Sequence, residues 1–471
     1  NVNTEFHEDD NNESEIKKYF CDKVILLTGA TGFLGGVVLE KLLRSCPSLR
    51  RVYVLIRKKK NKDVPTRLKE LLSIPLFQTL DSTTLDKVVA IEGDVTIPVI
   101  GLDEEDRIRL IDEVNIIYHV AANINFSAPL DKAVFVNIEG TKRILQIAKQ
   151  MKNLQSLIYV STAFCNCVQR DIVAEKVYPN RWEPNELIEL IKRMPPDVRE
   201  KKTPEILGGH PTTYSFTKLL AENLIRAERA EIPVAVVRPS IVLGMSDQSS
   251  LPGWVDNVNN GGVAFMAGVG RGVFRTIGAR QDLIADMVPC DQLASLLIAA
   301  AWAAYKERDL KVYHFTSGTD NPLTWSEYGR YVVDAALKHP CTYLVMYPRA
   351  KVRNIMRNSI YVVFGHYLPG VLLDLLASLH GRKPILMEIQ RKYSRGMKLS
   401  AYFTTNEWKF HKQNTNSLAR KLTGKDKTEF SFDTKDIKWP SYLETCVLGV
   451  RKYYHGEEPD SITRARKFLF R

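Results

Sequence analysis

Short runs of consecutive apolar residues recur along the first two thirds of the chain, and stretches with the periodicity of helices separate them. A run without alternating polar positions is typical of a strand that is covered on both faces. Helical spacing is clearest at 132–152 and 214–230. The first predicted strand begins at Lys23, and the others occupy residues 51–57, 88–94, 115–122, 156–162, 233–240 and 312–318.

Strands and helices that alternate in this way predict an α/β fold, a doubly wound parallel sheet of the Rossmann type with helices on both faces. In such sheets ligands bind beyond the carboxyl ends of the strands. We therefore expect one crevice at that edge, lined by the residues with which the predicted strands end: Gly29, Arg57, Asp94, Ala122, Thr162 and Pro239.

The first strand runs straight into a glycine-rich turn, TGATGFLG at 28–35. Gly29 suits a tight turn, Gly32 lets the backbone approach a phosphate, and Gly35 lets the next helix pack closely on the sheet. Backbone amides at such a helix N-terminus form a pyrophosphate site. The spacing T-G-x-x-G-x-x-G differs from the G-x-G-x-x-G of dinucleotide dehydrogenases. A plain turn is the alternative interpretation.

The end of the second predicted strand indicates the cofactor. An NAD site has an acidic residue there, whereas this strand ends in the basic run 57–60, RKKK. Basic groups suit a ribose 2′-phosphate and favour NADPH, although a solvated basic loop is the alternative. We expect Asp94 and its neighbours to hold the adenine edge and residues 119–122 to form a wall behind the pyrophosphate. The predicted cofactor-binding residues are Gly29, Thr31, Gly32, Phe33, Leu34, Gly35, Arg57, Asp94, Val95, Ala121, Ala122, Tyr214, Lys218, Pro239 and Ile241.

Tyr214 and Lys218 lie four residues apart and therefore share one face of a predicted helix. A lysine ammonium beside a phenol stabilises phenolate, so Tyr214 could exchange a proton with a substrate oxygen while hydride leaves the cofactor. A hydroxyl from Ser161 or Thr162, at the end of the fifth predicted strand, would hydrogen-bond the same oxygen. The residues alone leave both hydroxyls open as the catalytic partner.

These segments, together with GDV, HVAA, YVSTAF and VVRPS, resemble an extended short-chain dehydrogenase/reductase. More narrowly, the chain resembles a fatty acyl-CoA reductase from about residue 23 to residue 452. The narrower likeness lies in TRLKELLSIPLF (66–77), YVSTAFCN (159–166), GGHPTTYSFTKLLAE (208–222), ADMVPCDQL (285–293) and HYLPGVLLDLLASLHGRKP (366–384).

The resemblance implies an activity and refines the site. It implies that long-chain fatty acyl-CoA is reduced to fatty alcohol with two NADPH, through an aldehyde intermediate. It also implies that the catalytic hydroxyl is the second of the pair, Thr162, and leaves Ser161 as a secondary candidate.

The composition is compatible with this interpretation. A net charge of +12 suits a phosphate-bearing thioester substrate and an anionic lipid surface. The chain lacks the basic helix, aromatic pattern and zinc spacing of nucleic-acid-binding proteins, so neither nucleic acid nor metal is expected. Its seven cysteines are scattered without C-x-x-C pairs and are predicted to be buried reduced thiols in a cytosol-facing environment.

The pattern predicts three segments: a flexible N-terminal stretch at 1–20, an NADP-binding reductase domain at 21–335, and a C-terminal, mostly helical region at 336–471. The spacing between Thr162 and Tyr214 is too long for a single connecting helix and indicates an insertion at 166–213. Such an insertion could cover part of an acyl or pantetheine channel, or could be a solvated ornament.

The C-terminal region contains apolar stretches at 360–364 and 368–379. His366, Pro369, Gly370 and Asp374 interrupt them, so they do not read as a clean membrane span. They could form a monotopic hairpin on a membrane or a buried pair of helices. The family resemblance favours membrane contact, at a cytosol-facing membrane of the endoplasmic reticulum or peroxisome. Basic residues flank the stretches: Arg353, Arg357, Arg382 and Lys383.

Two other functions remain open for this sequence. A sugar-nucleotide epimerase or dehydratase of the same fold would keep Tyr214, Lys218 and Thr162, but Arg57 and the apolar C-terminal segment argue against it. A catalytically silent lipid-binding protein is the other alternative, against which the intact Tyr, Lys and hydroxyl set argues.

Overall fold

The computed structural model describes residues 13–59, 61–169, 171–256, 261–381 and 383–469. Residues 1–12 of the predicted flexible start, Lys60 of the basic run and Arg382 of the C-terminal flank lie outside these ranges.

A parallel sheet forms the centre of the molecule. The strands of the described part are Val24–Thr28 (β1), Arg51–Ile56 (β2), Val88–Glu92 (β3), Ile116–His119 (β4), Ser156–Val160 (β5), Val234–Pro239 (β6), Ile241–Leu243 (β7), Thr276–Gly278 (β8), Met287–Pro289 (β9), Leu310–Phe315 (β10) and Lys351–Arg353 (β11).

Seven of these strands form one sheet in the order β10-β6-β5-β4-β1-β2-β3, and every neighbouring pair in it is parallel. They are the seven strands that the apolar runs predict, so the doubly wound sheet is confirmed. The strand order reverses between β1 and β4, and sheets of this kind bind ligands at that switch point. Strands β7 with β9 and β8 with β11 form two small parallel pairs outside it.

Helices cover the sheet and build the C-terminal region. They are Glu15–Phe20 (α1), Phe33–Ser45 (α2), Val64–Leu72 (α3), Ser82–Leu85 (α4), Glu104–Glu113 (α5), Leu130–Val134 (α6), Gly140–Ala148 (α7), Pro184–Arg193 (α8), Pro196–Leu207 (α9), Thr213–Glu228 (α10), Gly261–Gly270 (α11), Cys290–Glu307 (α12), Trp325–Lys338 (α13), Ile355–Val362 (α14), Leu368–Leu379 (α15), Leu386–Thr404 (α16), Gln413–Lys421 (α17), Gly424–Glu429 (α18), Trp439–Gly449 (α19) and Ser461–Leu469 (α20). A π-helical turn at Phe135–Glu139 joins α6 to α7, and another at Val363–Tyr367 joins α14 to α15.

Each face of the sheet has its own apolar core. Helices α2 and α12 pack on one face, and α7 and α10 pack on the other. A third core lies among α11, α13 and α19 in the later part of the chain. The two covered faces explain why the strands read as continuous apolar runs.

The start of the chain differs from the predicted flexible segment. Residues Glu15–Phe20 form α1, and the Ser14 side chain caps its N-terminus. Ile16 and Phe20 are fully buried in the core that contains α12. Two large apolar side chains one turn apart give this short helix enough buried area to dock.

The later segments are also tied to the sheet. The predicted boundary after residue 335 falls inside α13, and the chain beyond it returns to bury Leu418 and Phe432 in the same core as α2. Within the predicted insertion, α8 buries Leu187 and Ile191 against α10. Both segments therefore complete the cores of the sheet domain, and the insertion is not a solvated ornament.

The apolar C-terminal stretch forms one helix of 25 residues, Ile355–Leu379, through α14, the π-helical turn and α15. By length and composition it could cross a membrane, a test that core helices of soluble proteins can also pass. Most of its side chains are exposed, so the predicted alternative of a buried helix pair is wrong.

Candidate active site

The turn between β1 and α2 brings the backbone very close to the end of β4. Gly29 has a φ of +80°, and a Cβ added there would lie 2.7 Å from the backbone nitrogen of Ala121. A Cβ on Gly35 would collide with the carbonyl of Gly29. Gly32 is the N-cap of α2 and supplies no side chain to its first turn. The turn thus has the small residues and the uncapped helix N-terminus that pyrophosphate binding requires.

His119, the last residue of β4, makes hydrogen bonds that hold the ends of β1 and β4 together. Its Nδ1 lies 2.8 Å from the Thr28 hydroxyl, and its Nε2 lies 3.1 Å from the Thr141 hydroxyl. The Thr28 hydroxyl also accepts a hydrogen bond from the N–H of Ala121 at 3.2 Å. Burial, and then the charge of Lys218, lower the pKa of His119 to about 3, so the imidazole is neutral at physiological pH. The residue positions β1 against β4.

Two guanidinium groups meet at the end of β2. Arg67, on α3, donates hydrogen bonds to the carbonyl of Arg57 and, at 3.5 Å, to the hydroxyl of Thr31. The Arg57 guanidinium lies 3.8 Å from the Asp94 carboxylate, which accepts hydrogen bonds from Thr96. Burial, and then the nearby Arg57, lower the pKa of Arg67. An anion placed between the two cations would relieve their repulsion.

The predicted catalytic residues converge where β5 ends and α10 begins. The Thr162 hydroxyl accepts a hydrogen bond from the N–H of Phe164 at 3.3 Å and is also hydrogen-bonded to the Tyr214 phenol. Tyr214 lies in the first turn of α10, and Lys218 follows one turn later. The Lys218 ammonium donates to the carbonyl of Val160 at 2.5 Å.

Burial controls the protonation of both groups on α10. It raises the pKa of Tyr214, an effect that the hydrogen bond with Thr162 partly opposes. It also lowers the pKa of Lys218 to about 7, which Glu222 opposes. The expectation that the lysine charge would favour phenolate is therefore corrected: in the protein alone desolvation dominates, and the phenol is held in its protonated form.

Ser161 does not join this group. It is 1% exposed, and its hydroxyl donates to the Glu222 carboxylate at 2.5 Å. Glu222 forms an ion pair with Arg238, and both of these side chains are fully buried. Successive residues of a strand point to opposite sides, so only one of two adjacent hydroxyls can face the crevice. The structure favours Thr162, and Ser161 belongs to a buried polar network.

Aromatic rings from the C-terminal region close the site. The ring of Phe126 stacks on Tyr214 with 5.6 Å between centroids. Phe403, near the end of α16, packs against Phe126 at 5.6 Å and against Phe164 at 5.4 Å. A small cavity beside these rings is lined by Phe164, Ile241, Ile284, Asp286, Trp325, Phe403, Trp408 and Phe410. Ile241, which the sequence assigns to the cofactor, lies on this aromatic side.

Three residues in or near the site are not predicted by the sequence analysis: Asn137, Arg67 and Phe403. Asn137 is 1% exposed and links the loop after β4 to α10, because its amide bonds Asn123 and, at 2.9 Å, the Thr217 hydroxyl. A lone asparagine inside the periodic stretch 132–152 was the available signal. Arg67 lies within the quoted TRLKELL segment, whereas Phe403 is far away in sequence and carries no motif.

No group of three or more potential metal ligands occurs among the described residues. All seven cysteines are free thiols, and six of them, including Cys165 and Cys167, are buried.

A glycine turn that opens α2 at the switch point, together with Tyr214 and Lys218 on α10 near the end of β5, places the protein in the class of nicotinamide-dependent oxidoreductases on a Rossmann-type sheet. Family comparisons agree with this class. A model of the NAD-binding type, described as "Male sterility protein", matches residues 27–297, and a second model with the same description matches residues 365–457.

Similar proteins specify the family. Fatty acyl-CoA reductase 1 of Rattus norvegicus is 39% identical over 460 residues, which cover 96% of this chain and 89% of the rat protein. The protein of the same name from Homo sapiens is 38% identical over the same shares. Fatty acyl-CoA reductase 2 of Mus musculus is 34% identical, over 97% of this chain and 90% of the mouse protein. The chain belongs to the fatty acyl-CoA reductase family.

Solved structures share the fold. The terminal R domain of the myxalamid PKS-NRPS pathway superposes with a TM-score of 0.64 at 20% identity, over 95% of this chain and 96% of that domain. The UDP-glucuronic acid 4-epimerase of Bacillus cereus, in complex with NAD, gives a TM-score of 0.50 at 15% identity, over 93% and 99%. At these identities the likeness concerns the fold alone, so it gives the epimerase alternative no support.

Proposed function

We propose that this protein is an alcohol-forming reductase that converts long-chain fatty acyl-CoA to fatty alcohol with two NADPH. The observation that carries the proposal is the junction of two chemistries at Tyr214. Its phenol is hydrogen-bonded to Thr162 and Lys218 follows one turn later on α10, while its ring stacks on Phe126, which packs against Phe403. A thioester at the end of an alkyl chain needs both environments.

The residues around the β1–α2 turn fit a dinucleotide. The uncapped first turn of α2 would receive the pyrophosphate, and Lys218 would contact the ribose that carries the nicotinamide. Arg57 and Arg67 would hold a 2′-phosphate, which is the reason for proposing NADPH over NADH. When bound, the reduced nicotinamide supplies hydride.

Tyr214 is the proposed acid, and Thr162 its partner. As hydride adds to the thioester carbonyl carbon, negative charge develops on the oxygen, where both hydroxyls would donate hydrogen bonds. The C–S bond then breaks, CoA leaves as the thiolate, and an aldehyde remains. The raised pKa of Tyr214 suits a group that must be protonated when this charge appears.

The same residues would perform the second reduction. Hydride adds to the aldehyde carbon while Tyr214 gives its proton to the oxygen, which yields the alcohol. The aromatic wall gives a reason for the aldehyde to stay bound, since each buried CH₂ of an alkyl chain contributes about 0.8 kcal/mol.

We further propose that the enzyme works at a cytosol-facing membrane, that of the endoplasmic reticulum or the peroxisome. The exposed apolar helix Ile355–Leu379 and the free, mostly buried thiols support this location. Fractionation of cells that express a tagged chain, against markers of both organelles, tests it.

The decisive experiment supplies palmitoyl-CoA and NADPH and measures product and stoichiometry. We expect hexadecanol as the main product, two NADPH oxidised per thioester, and little aldehyde captured by a hydrazine trap. Supplied hexadecanal should also be reduced. Release of aldehyde with one NADPH per thioester would reject the second step, and no turnover of any acyl-CoA would reject the proposal.

A further inference from the structure

The helix Ile355–Leu379 exposes its apolar side chains instead of burying them. Of the 21 large hydrophobic side chains that are exposed in the described part of the chain, 12 lie between Ile355 and Ile385. Along the helix they follow a spacing of three and four residues and so form one continuous face. We call this the apolar face; its most exposed members are Met356, Ile360, Phe364, Leu368, Leu375 and Leu379.

The polar residues of the same helix point into the protein. Asn358 is 8% exposed, and its side chain accepts a hydrogen bond from the Thr276 hydroxyl at 2.7 Å. His366 is 1% exposed, and its Nε2 accepts the N–H of Arg275 at 3.0 Å. Burial lowers the pKa of His366 to about 4, so this contact is between neutral groups.

Asp374 completes the inward face. It is 8% exposed and accepts hydrogen bonds from three successive backbone N–H groups at the start of α16, those of Ile385, Leu386 and Met387, at 2.8–3.0 Å. The carboxylate therefore acts as the N-terminal cap of α16. Two of the four residues that interrupt the apolar pattern in the sequence, His366 and Asp374, therefore help to fasten this helix to the rest of the molecule.

Charge surrounds the apolar face asymmetrically. Residues 351–400 contain nine Lys or Arg but only two Asp or Glu. One of the two acidic residues is the buried Asp374, and the other, Glu388, pairs with Lys392 at 2.8 Å. Arg357, Lys383 and Arg391 are exposed, and among the described residues they have no ion-pair partner. Such a basic margin complements anionic headgroups.

We propose that the apolar face of Ile355–Leu379 inserts into one leaflet of an anionic phospholipid membrane, with the helix in the plane of the surface and not across it. A spanning helix would have to carry Asn358, His366 and Asp374 into hydrocarbon and break the contacts that hold them. A second copy of the chain is a poorer occupant, because two basic margins would repel each other.

This arrangement places the membrane next to the catalytic site. Helix α16 returns along α15 and the π-helical turn, so closely that a Cβ added to Gly370 would lie 3.3 Å from the Met387 sulfur. Near its other end, α16 presents Phe403 to Phe126, which stacks on Tyr214. Helix α16, which packs against the helix Ile355–Leu379, therefore also forms part of the wall of the site.

The test uses the full 471-residue chain and flotation with phosphatidylcholine vesicles that contain about 30% phosphatidylserine or none. The wild type should float with the anionic vesicles and bind the neutral ones at least about 10-fold more weakly. Phe364→Glu combined with Leu372→Glu should lower partition by about 100-fold or more. Ile108→Glu, a substitution at a similarly exposed position on α5, is the matched control and should bind as the wild type does.

Two controls distinguish a loss of membrane binding from misfolding and from a failure of the proposed reductase function. Both variants should retain NADPH binding and a wild-type melting curve, and vesicle binding does not depend on turnover. A bimane label at Phe364→Cys, in a Cys21→Ser background, should be quenched most by lipids brominated about 5–10 Å below the headgroups.

Three results would overturn the proposal. The first is a wild-type chain that does not bind anionic vesicles. The second is a dimer in light scattering that the Phe364→Glu, Leu372→Glu variant dissociates, which would assign the face to a second copy. The third is quenching at the bilayer midplane with one end of the helix shielded from external protease, which would mean that it spans the membrane.

Discussion

The strand-end site and the helix Ile355–Leu379 use similar side chains in different ways. In the site, hydroxyl, amine and guanidinium groups gather at one edge of a buried sheet, and burial changes their protonation. In the helix, an amide, an imidazole and a carboxylate also turn inward, and each makes at least one hydrogen bond to a neighbouring element. The inward polar groups of the site serve the proposed chemistry, whereas those of the helix fasten it to neighbouring elements.

The helices of the two regions differ in where their apolar sides lie. The helices that cover the sheet bury their apolar sides in two cores, and the C-terminal helix shows its apolar side to the outside. Amino-acid composition alone would not distinguish a helix that covers the sheet from the helix Ile355–Leu379, because both contain long apolar runs. The direction in which the interrupting polar residues point separates them.

The largest expected effect tests the chemical side of this comparison. Tyr214→Phe removes the proposed acid and should lower kcat by about 10²–10⁴-fold for both palmitoyl-CoA and the aldehyde. NADPH should still bind in a fluorescence titration, since the glycine turn, the guanidiniums and Lys218 remain. A variant with wild-type turnover would show that the proton comes from another group.

The next effect concerns the two guanidiniums. Arg57→Ala and Arg67→Ala should each weaken NADPH binding by about 1.5–3 kcal/mol if each loses one charge-assisted contact. NADH binding should hardly change. Arg50→Ala is the matched control, because Arg50 precedes the opposite end of β2, where its guanidinium lies 3.8 Å from Asp22. Equal losses for both cofactors would indicate a folding defect.

A smaller effect sharpens the view of inward polar groups as attachment. Asp374→Ala removes the cap of α16 and should lower the free energy of unfolding by about 0.5–2 kcal/mol. Asp103→Ala removes a comparable cap from α5, where Asp103 accepts the N–H of Asp106 at 2.8 Å. Hydrogen exchange should speed up around 380–390 in the first variant only. If hydrogen exchange at 380–390 sped up equally in both variants, Asp374 would not be a specific cap of α16.

The smallest expected effect is the uptake of a fraction of one proton by Lys218 when NADPH binds. With a pKa of about 7, Lys218 is largely neutral at pH 8 in the cofactor-free protein. A bound polyanionic cofactor favours its charged form, so NADPH binding should take up protons above pH 7 and cease to do so near pH 5, where the amine is already charged. Calorimetry in buffers of different ionisation enthalpy measures this, and Lys218→Met should abolish it. Proton release at pH 8 would contradict it.

The sheet and much of the site could be predicted because their signals are local. Seven apolar runs predict the strands of the sheet, and since parallel strands end at one edge, Gly29, Arg57 and Thr162 are predicted to line one crevice. Tyr214 joins them in the prediction through its spacing from Lys218 on a helix. Ser161 and Thr162 could not be separated from residue type, because only the facing of the strand decides which hydroxyl reaches the crevice. The helix α1 was missed, since six residues give too short a periodic pattern.

The sequence by itself determined the order of strands and helices, the glycine turn and the Tyr–Lys pair, because backbone geometry ties each to a spacing of a few residues. Tertiary structure alone decided which charges are buried, and therefore that Tyr214 is held protonated and Lys218 has a lowered pKa. It also decided that Phe403 closes a site more than 180 residues away in sequence and that the apolar helix faces outward. Desolvation and facing depend on which distant segments pack together, and no local pattern encodes that choice.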